Sequence, residues 1–232
     1  MRDLPKFYDL FSNRQLKAGV TRRHNHILNG MVKFGLKPGH NVLEVGCGIE
    51  TLTGLIGKFL ENGSLLALDF SPESINIAKK RLKGLKNVEL LEKNFLKFET
   101  DKRFDVVVFP DVLEHIPLEN HFELFKKAAN LMATDAFIYI NIPNPYYLSW
   151  CKQKNPEVLQ IIDQPVYSDK LINDIYPHGL MIYYLETYSL WVKNDYQVIV
   201  LKKSNDQNNF PEIPYKPKPI FSRVKNRLKS FW

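Results

Sequence analysis

VLEVGCGIETLTGLIG, residues 42–57, is the stretch that decides the fold, because an apolar strand pattern runs into a glycine turn and then into a helical pattern. Gly46 and Gly48 allow the backbone to turn sharply and to approach a ligand closely. The exposed amides at the start of the following helix can hold a carboxylate or a phosphate group. The stretch therefore predicts a ligand-binding turn at the end of a buried strand.

Two acidic residues narrow the class of ligand. A dinucleotide fingerprint would place a third glycine where Thr51 stands, and a carboxylate at Glu44 would repel a pyrophosphate. Glu44 instead suits a positively charged ligand such as S-adenosylmethionine. Asp69 ends the next predicted strand, 21 residues after Gly48, where an acid binds a ribose diol. In the alternative interpretation, the glycines form only a tight turn and Asp69 only helps to start a helix.

Strand and helix patterns alternate on both sides of this turn. Such alternation predicts a parallel sheet with helices on both faces. The first 37 residues have a helical pattern, and two strands separated by a tight turn at 193–195 complete the set. The predicted strands cover 41–45, 64–68, 88–91, 104–109, 136–142, 181–192 and 196–202, and the helices cover 51–60, 71–85 and the residues after Pro117.

Prolines divide the rest of the chain. Five prolines between 143 and 177 predict an insertion, residues 144–180, over the carboxyl edge of the sheet. Four more between 211 and 219 predict an extended linker over 204–219. Residues 220–232 then place apolar and basic side chains on opposite faces of a helix.

The composition excludes several classes of protein. With 232 residues, 44% of them hydrophobic and 25% charged, the chain resembles an ordinary globular domain. Cys47 and Cys151 offer neither a disulfide framework nor metal-ligand spacing, so we expect no metal and a reducing, cytoplasmic compartment. Residues 202–232 carry six of the seven net positive charges, which argues against a nucleic-acid groove across the domain.

The motifs resemble those of class I S-adenosylmethionine-dependent methyltransferases over residues 1–203. The matching pieces are VLEVGCG, LLALDFSPESINIAKKRL, EKNF at 92–95, FDVVVFPDVLEHIP at 104–117, and INIPNP. The resemblance implies a Rossmann-like, doubly wound α/β sheet of seven strands with an antiparallel last strand, and S-adenosylmethionine as cofactor. Asn94 stands where the family usually has Asp beside the adenine amine. The implied cofactor residues are Arg23, Glu44, Gly46, Cys47, Gly48, Asp69, Phe70, Asn94, Phe95, Pro110 and Asp111.

A narrower similarity is to methyltransferases of bacterial surface-polysaccharide gene clusters. It rests on FSNRQLKAGVTRRHNHIL at 11–28, on the HIP that ends the fourth-strand motif, and on IPNPYY at 142–147. It implies a helical lid over residues 1–37, in which Tyr8 contacts the substrate and Arg23 pairs with the methionine carboxylate of the cofactor. It also implies O-methylation of a saccharide or of an activated or lipid-linked sugar.

Two histidines are candidates for a general base. His115 follows the fourth predicted strand, at the switch point where ligands of doubly wound sheets bind. A structural role in the turn before Pro117 is the alternative. His178 in the insertion is the second candidate. Asn144, Tyr146 and Tyr147 either contact the substrate or form the small core of the insertion.

We therefore expect an S-adenosylmethionine-dependent methyltransferase enzyme acting on a saccharide. The alternatives are methylation of a small carboxylic or phosphorylated metabolite, and a non-catalytic cofactor-binding scaffold. We expect a small-molecule or glycan acceptor and no nucleic acid. The basic helix at 220–232 predicts peripheral contact with an anionic membrane, on the inner face of the cell membrane. The alternative is that this helix docks onto the catalytic domain or a partner subunit. The sequence does not indicate an oligomeric state.

Overall fold

A seven-stranded sheet organises the part of the chain that the structure, a computed structural model, describes: residues 19–160 and 162–204. The strand order is β3-β2-β1-β4-β5-β7-β6. All neighbours are parallel except β7, which runs antiparallel to both β5 and β6. The strands are β1 (Asn41–Val45), β2 (Ser64–Asp69), β3 (Val88–Glu92), β4 (Phe104–Pro110), β5 (Met132–Pro143), β6 (Leu180–Tyr188) and β7 (Tyr196–Lys203). The predicted fold class is confirmed.

Six α-helices connect and cover the strands in the described residues. They are α1 (Arg22–Lys33), α2 (Thr51–Phe59), α3 (Pro72–Arg81), α4 (His121–Leu131), α5 (Pro145–Lys154) and α6 (Ser168–Ile175). The start of α3 follows the predicted capping pattern, since the Ser71 hydroxyl accepts a hydrogen bond from the Ser74 amide at 3.2 Å and Pro72 stands at the first helical position. None of the helices in the described ranges is long and apolar enough to cross a membrane.

Both faces of the sheet are buried, because successive residues of a strand point to opposite sides. In β1, Leu43 and Val45 join one apolar core and Val42 joins the other. On the second face α1 packs closely over the sheet. Gly30 permits this approach, since a Cβ there would collide with the hydroxyl of the fully buried Tyr139. The two cores hold the carboxyl ends of β1 and β4 side by side.

Some predicted boundaries were wrong. The sixth strand ends at Tyr188 and not at 192, because the carboxylate of Asp195 accepts the backbone amides of 190–192 and bends that segment away from the sheet. The third predicted helix is shorter at both ends, covering Pro72–Arg81 in place of 71–85. Within the first 37 residues, the described helix is Arg22–Lys33, and residues 1–18 lie outside the described part. The predicted linker and tail, 205–232, lie outside it too.

Candidate active site

A cavity of about 450 Å³ opens at the carboxyl ends of β1, β2 and β4. The strand order reverses between β1 and β4, and ligands of doubly wound sheets bind at this switch point. Its walls come from the turn after β1, the ends of β2 and β4, and the start of α1. All eleven predicted cofactor residues line it: Arg23, Glu44, Gly46, Cys47, Gly48, Asp69, Phe70, Asn94, Phe95, Pro110 and Asp111.

The turn after β1 depends on glycine for two separate reasons. Gly46 has φ +78° and Gly48 has φ +53°, in the left-handed region that favours glycine. In addition, a Cβ on Gly46 would collide with the side chain of Val112, which follows β4. A larger residue at 46 therefore strains the backbone and displaces the wall of the cavity.

Glu44 places a buried carboxyl group in the cavity wall. The residue is fully buried on β1, and neither carboxyl oxygen has a hydrogen-bond partner. Burial raises the pKa of Glu44 to about 8, although the nearby Thr53 hydroxyl offsets part of the rise. A buried, unpaired carboxyl group is costly, and a cation bound beside it would ionise it and give it a partner. This side chain fits the ammonium and sulfonium groups of S-adenosylmethionine.

Asp69 connects the ends of β1 and β2. One carboxylate oxygen accepts the Gly48 amide at 2.8 Å, and the other accepts the Ser71 amide at 2.8 Å. Burial raises the pKa of Asp69, and these backbone hydrogen bonds counteract part of that rise. Each oxygen keeps a lone pair, so a ribose diol can still donate to the same carboxylate.

Asn94 and Phe95 form the wall beyond β3. The Asn94 side-chain oxygen accepts the Leu96 amide at 2.9 Å and keeps a second lone pair that can accept from a ligand. Phe95 is buried and packs edge-on against Phe109 of β4, with ring centroids 5.6 Å apart. Phe70 is 61% exposed at the rim of the cavity, an unusual position for a phenylalanine that nevertheless suits stacking on a planar ligand.

Arg23 and Asp111 form an ion pair in the wall of the cavity. The Arg23 Nε lies 3.2 Å from an Asp111 carboxylate oxygen, and Arg23 also donates to the Tyr196 hydroxyl at 3.3 Å. Asp111 has φ +54°, and the buried Asn141 amide donates to its other oxygen at 3.2 Å. The guanidinium holds this strained residue in place and keeps further N–H donors, so its pairing with the methionine carboxylate stays a prediction.

His115 lines the cavity, but it does not present a free base. Its Nδ1 donates to the Ile162 carbonyl at 2.7 Å and lies 3.1 Å from the Asp163 carboxylate, and its Nε2 lies 2.9 Å from the Gln160 side chain. Burial lowers the pKa of His115, but the Glu114 carboxylate and the bonds to Asp163 and Ile162 outweigh it and raise the pKa to about 9. These contacts favour the protonated ring, while burial raises the pKa of the neighbouring Glu114 to about 8.

The contacts of His115 hold a short segment of the insertion at the cavity. Gln160 and Ile162 line the cavity, and the Gln164 amide donates to the Glu114 carbonyl at 2.8 Å. We call residues 160 and 162–164 the strap. Since both ring nitrogens contact the strap, the geometry favours the alternative role that the sequence left open, in which His115 orders the structure around it.

The other predicted residues lie away from the cavity. His178 packs against Phe122, with ring centroids 4.3 Å apart, so the geometry disfavours it as a base. Asn144 caps α5 by accepting the Tyr146 amide at 2.9 Å. Tyr146 and Tyr147 are on α5 and do not line the cavity, so their contact with the substrate stays a prediction. Tyr8 lies outside the described residues.

Sequence reasoning missed the polar residues beneath Asp111. Asn141 is fully buried in β5, and its side-chain oxygen accepts the Tyr188 hydroxyl at 2.7 Å while its amide donates to Asp111. A lone asparagine in the apolar run AFIYINI was a usable signal, because a buried amide requires partners. Nothing in the sequence indicates that Tyr188 and Tyr196 would reach this network from the last two strands.

Comparison with known proteins decides the family. The family model described as methyltransferase domain matches residues 36–182, more than half of the chain. The chain belongs to this family. The predicted S-adenosylmethionine-dependent methyltransferase and its cofactor are therefore confirmed at the level of the domain. The narrower polysaccharide-cluster similarity and the cytoplasmic location remain predictions.

Curated relatives and solved structures agree with this domain. The chain is 24% identical over 166 residues to an (S)-coclaurine N-methyltransferase of Thalictrum flavum subsp. glaucum, covering 71% of this chain and 43% of that one. It is 37% identical over 87 residues to a demethylmenaquinone methyltransferase of Bacillus cereus (strain AH187), covering 35% and 36%. The chain thus spans less than half the length of these relatives.

Among solved structures, an S-adenosylmethionine-dependent methyltransferase from Clostridium acetobutylicum ATCC 824 has a TM-score of 0.65 at 16% identity, covering 84% of this chain and 98% of that one. The N-methyltransferase NodS from Bradyrhizobium japonicum WM9 has a TM-score of 0.60 at 17% identity, covering 78% and 94%. At these identities the likeness shows the shared fold.

Proposed function

We propose that the protein transfers the methyl group of S-adenosylmethionine to a small-molecule acceptor. The observation that carries the proposal is the Glu44 carboxyl group, which is fully buried, unpaired and set in the wall of the cavity. A positively charged cofactor relieves this arrangement, whereas a pyrophosphate would worsen it. The family match over residues 36–182 supports the same reaction class.

The residues of the chain contribute mainly by positioning. When bound, the cofactor supplies an electrophilic methyl group on a sulfonium. Glu44 holds the cationic part, and Asp69 accepts from the ribose hydroxyls. Asp111, fixed by Arg23 and Asn141, stands at the wall shared with the end of β4. Methyl transfer needs the nucleophile, the methyl carbon and the departing sulfur in one line, and effective molarities for such positioning are large.

Two ion pairs lie at the wall of the cavity next to the strap. Asp111 lines this wall and pairs with Arg23, and Asp163 lies behind it and pairs with His115. Burial raises the pKa of Glu114, which also contacts His115, to about 8. The charges of this wall therefore nearly balance, so it suits a neutral acceptor, and a carboxylic or phosphorylated metabolite stays the alternative.

Two acceptor atoms fit this description. The proposal of a hydroxyl acceptor, on a saccharide or on an activated or lipid-linked sugar, is based on the sequence resemblance to polysaccharide-cluster enzymes. The proposal of an amine acceptor is based on the relatives named as N-methyltransferases. A hydroxyl or an amine that carries an N–H must lose a proton, and Asp111, which lines the cavity, is placed to receive it. A tertiary amine loses no proton and needs no base.

Calorimetric titration with S-adenosylhomocysteine tests the cofactor site. We expect binding by the native chain, a loss of at least tenfold in Glu44→Gln, and native affinity in Glu61→Gln, which changes an exposed carboxylate. Absence of binding by the native chain would remove the methyltransferase proposal and leave a scaffold. Transfer of a labelled methyl group to separate panels of sugars and amines then identifies the acceptor class.

A further inference from the structure

Large apolar side chains stand exposed at the edge of the sheet where the cavity opens. Trp191 is 61% exposed and Val192 46% exposed at the tip of the β6–β7 connection, and Tyr146 is 75% exposed and Trp150 49% exposed on α5. We call these four residues the aromatic face. We propose that the aromatic face docks onto an anionic lipid surface. This inference concerns where the protein works and does not depend on the identity of the acceptor.

The tip of the β6–β7 connection is built to present its side chains outward. The Asp195 carboxylate accepts the backbone amides of Leu190 at 2.7 Å, Trp191 at 2.9 Å and Val192 at 3.2 Å. The Asn194 amide donates to the Ser189 hydroxyl at 2.9 Å. A lipid interface penalises backbone groups that lack a partner. Because this turn satisfies its own amides, Trp191 and Val192 can enter such an interface without that penalty.

The start of α5 has the same property. Pro145 has no amide, and the Tyr146 amide is bonded to the Asn144 side chain at 2.9 Å. Tyr146 and Trp150 are four residues apart, so they lie on one side of the helix. The Asn144 amide donates to the Asp195 carbonyl at 2.8 Å, which joins α5 to the turn. The two halves of the aromatic face therefore belong to one rigid edge. Tryptophan and tyrosine are the residues enriched at membrane interfaces.

The charge of this edge decides between a lipid surface and other partners. Lys154 continues the line of Tyr146 and Trp150 on α5, and Lys193 follows Val192 directly. The exposed basic residues of these elements and of the start of α1 outnumber the exposed acids of the neighbouring segments: Arg22, Lys152, Lys154 and Lys193 against Glu157, Asp169 and Glu186. Basic side chains around exposed aromatic rings match an anionic leaflet, where each cation adds to the attraction.

The aromatic face also adjoins the cavity. The Arg23 guanidinium lines the cavity and lies 5.8 Å from the centre of the Trp191 ring. An acceptor carried by lipid would therefore reach the cavity from the docked surface. The opposite end of β7 is remote from it, since Tyr196 begins the strand at this edge and Lys203 ends it at the other. Ser204, the last described residue, follows that far end.

The three tryptophans of the chain separate membrane contact through the aromatic face from contact through the tail. Trp150 and Trp191 report the aromatic face and Trp232 reports the tail. In the full chain, Trp232→Phe leaves only the face reporters, and the double variant Trp150→Phe, Trp191→Phe leaves only the tail reporter. We expect emission of Trp232→Phe to shift to the blue and to fall about twofold on phosphatidylglycerol vesicles with brominated acyl chains. Phosphatidylcholine vesicles in high salt should change neither the wavelength nor the intensity of this emission.

A binding measurement completes the test. Trp191→Ser with Trp150→Ser should weaken co-sedimentation with phosphatidylglycerol vesicles about tenfold, while Tyr176→Ser, which removes an exposed ring elsewhere, should not. Circular dichroism checks that each variant folds. Quenching of the tail reporter alone would overturn the proposal in favour of contact through the tail. A blue shift that grows with protein concentration without lipid would overturn it in favour of a second copy of the chain.

Discussion

The carboxylate of Asp69, at the end of β2, accepts the amide of Gly48, in the turn after β1, at 2.8 Å. The bond spans 21 residues of sequence and ties the two strands at the edge where the cavity opens. It gives Asp69 a second role beside the ribose contact that the sequence implies, because the same carboxylate fixes the glycine turn that surrounds the cofactor. Loss of this side chain should therefore affect both the shape of the turn and its ligand.

Asp69→Ala should weaken binding of S-adenosylhomocysteine by about 1.5–3 kcal/mol, the range for hydrogen bonds to a charged group. The variant should remain folded, since Ser71 still caps α3. Calorimetric titration measures the affinity, and Asp101→Ala, an exposed aspartate, serves as the control. Native affinity in folded Asp69→Ala would refute both the ribose contact and the role in the turn.

Gly46→Ala should be less stable than the native chain by about 1–3 kcal/mol, because alanine must adopt φ +78° and its Cβ collides with Val112. Binding of S-adenosylhomocysteine should fall as well. The double variant Gly46→Ala, Val112→Ala should recover part of the lost stability, because it removes the collision, while the backbone strain remains. Gly39→Ala, which meets nothing within 4 Å, is the matched control in urea denaturation. Equal stability of both glycine variants would contradict the argument.

The cofactor half of the site was predictable because its signals are local. The glycine turn and Asp69 recur at fixed spacings that the backbone chemistry requires, and each sits where a strand pattern ends. The structure places all of the predicted cofactor residues on one cavity. Asn94 followed only from the family resemblance, as a departure from the usual Asp, and the structure adds that its oxygen accepts the Leu96 amide.

The acceptor half was not predictable, because its contacts join residues far apart in the chain. His115 contacts Gln160, Ile162 and Asp163, about 45 residues away, and this environment reverses the expected protonation of the ring. Periodicity shows that a histidine follows a strand, but it cannot show which carboxylates surround it. Similarly, the sequence predicts that Tyr146 contacts the substrate, but it could not show that α5 lies outside the cavity.

Glu44 should make the stability of the protein depend on pH. Burial raises its pKa from the ordinary 4.5 to about 8. Between these values the folded state holds a proton that the unfolded state releases, so the free energy of unfolding falls as pH rises, by up to about 1.4 kcal/mol per unit. Glu44→Gln has no titrating group at this position, so its free energy of unfolding relative to that of the native chain should improve from pH 5 to pH 8. Urea denaturation measures this, with Glu61→Gln as the control. Parallel curves for Glu44→Gln and the native chain would contradict the buried carboxyl group.

His115 supplies a second pH dependence and decides between positioning and base catalysis. Its pKa is raised from 6.5 to about 9, so its stabilising bonds to the strap are fully present below 6.5 and are lost as pH rises through about 9. In His115→Gln, stability should change less over this range, because glutamine cannot lose a proton. A glutamine amide can still donate toward the Ile162 carbonyl, although it cannot reproduce the ion pair with Asp163.

The kinetics of His115→Gln should reflect a displaced strap. At pH 7.5 we expect kcat within about tenfold of the native value and a higher KM for the acceptor, because Gln160 and Ile162 line the cavity. A general base contributes about 10²–10⁴-fold to turnover, so a fall of that size with unchanged KM would restore the base assignment. The native pH profile gives an independent criterion: turnover that declines above about pH 9 fits a protonated anchor, whereas turnover that rises to a plateau there fits a base. His40→Gln, at the other end of β1 and remote from the strap, should behave as the native chain in both measurements.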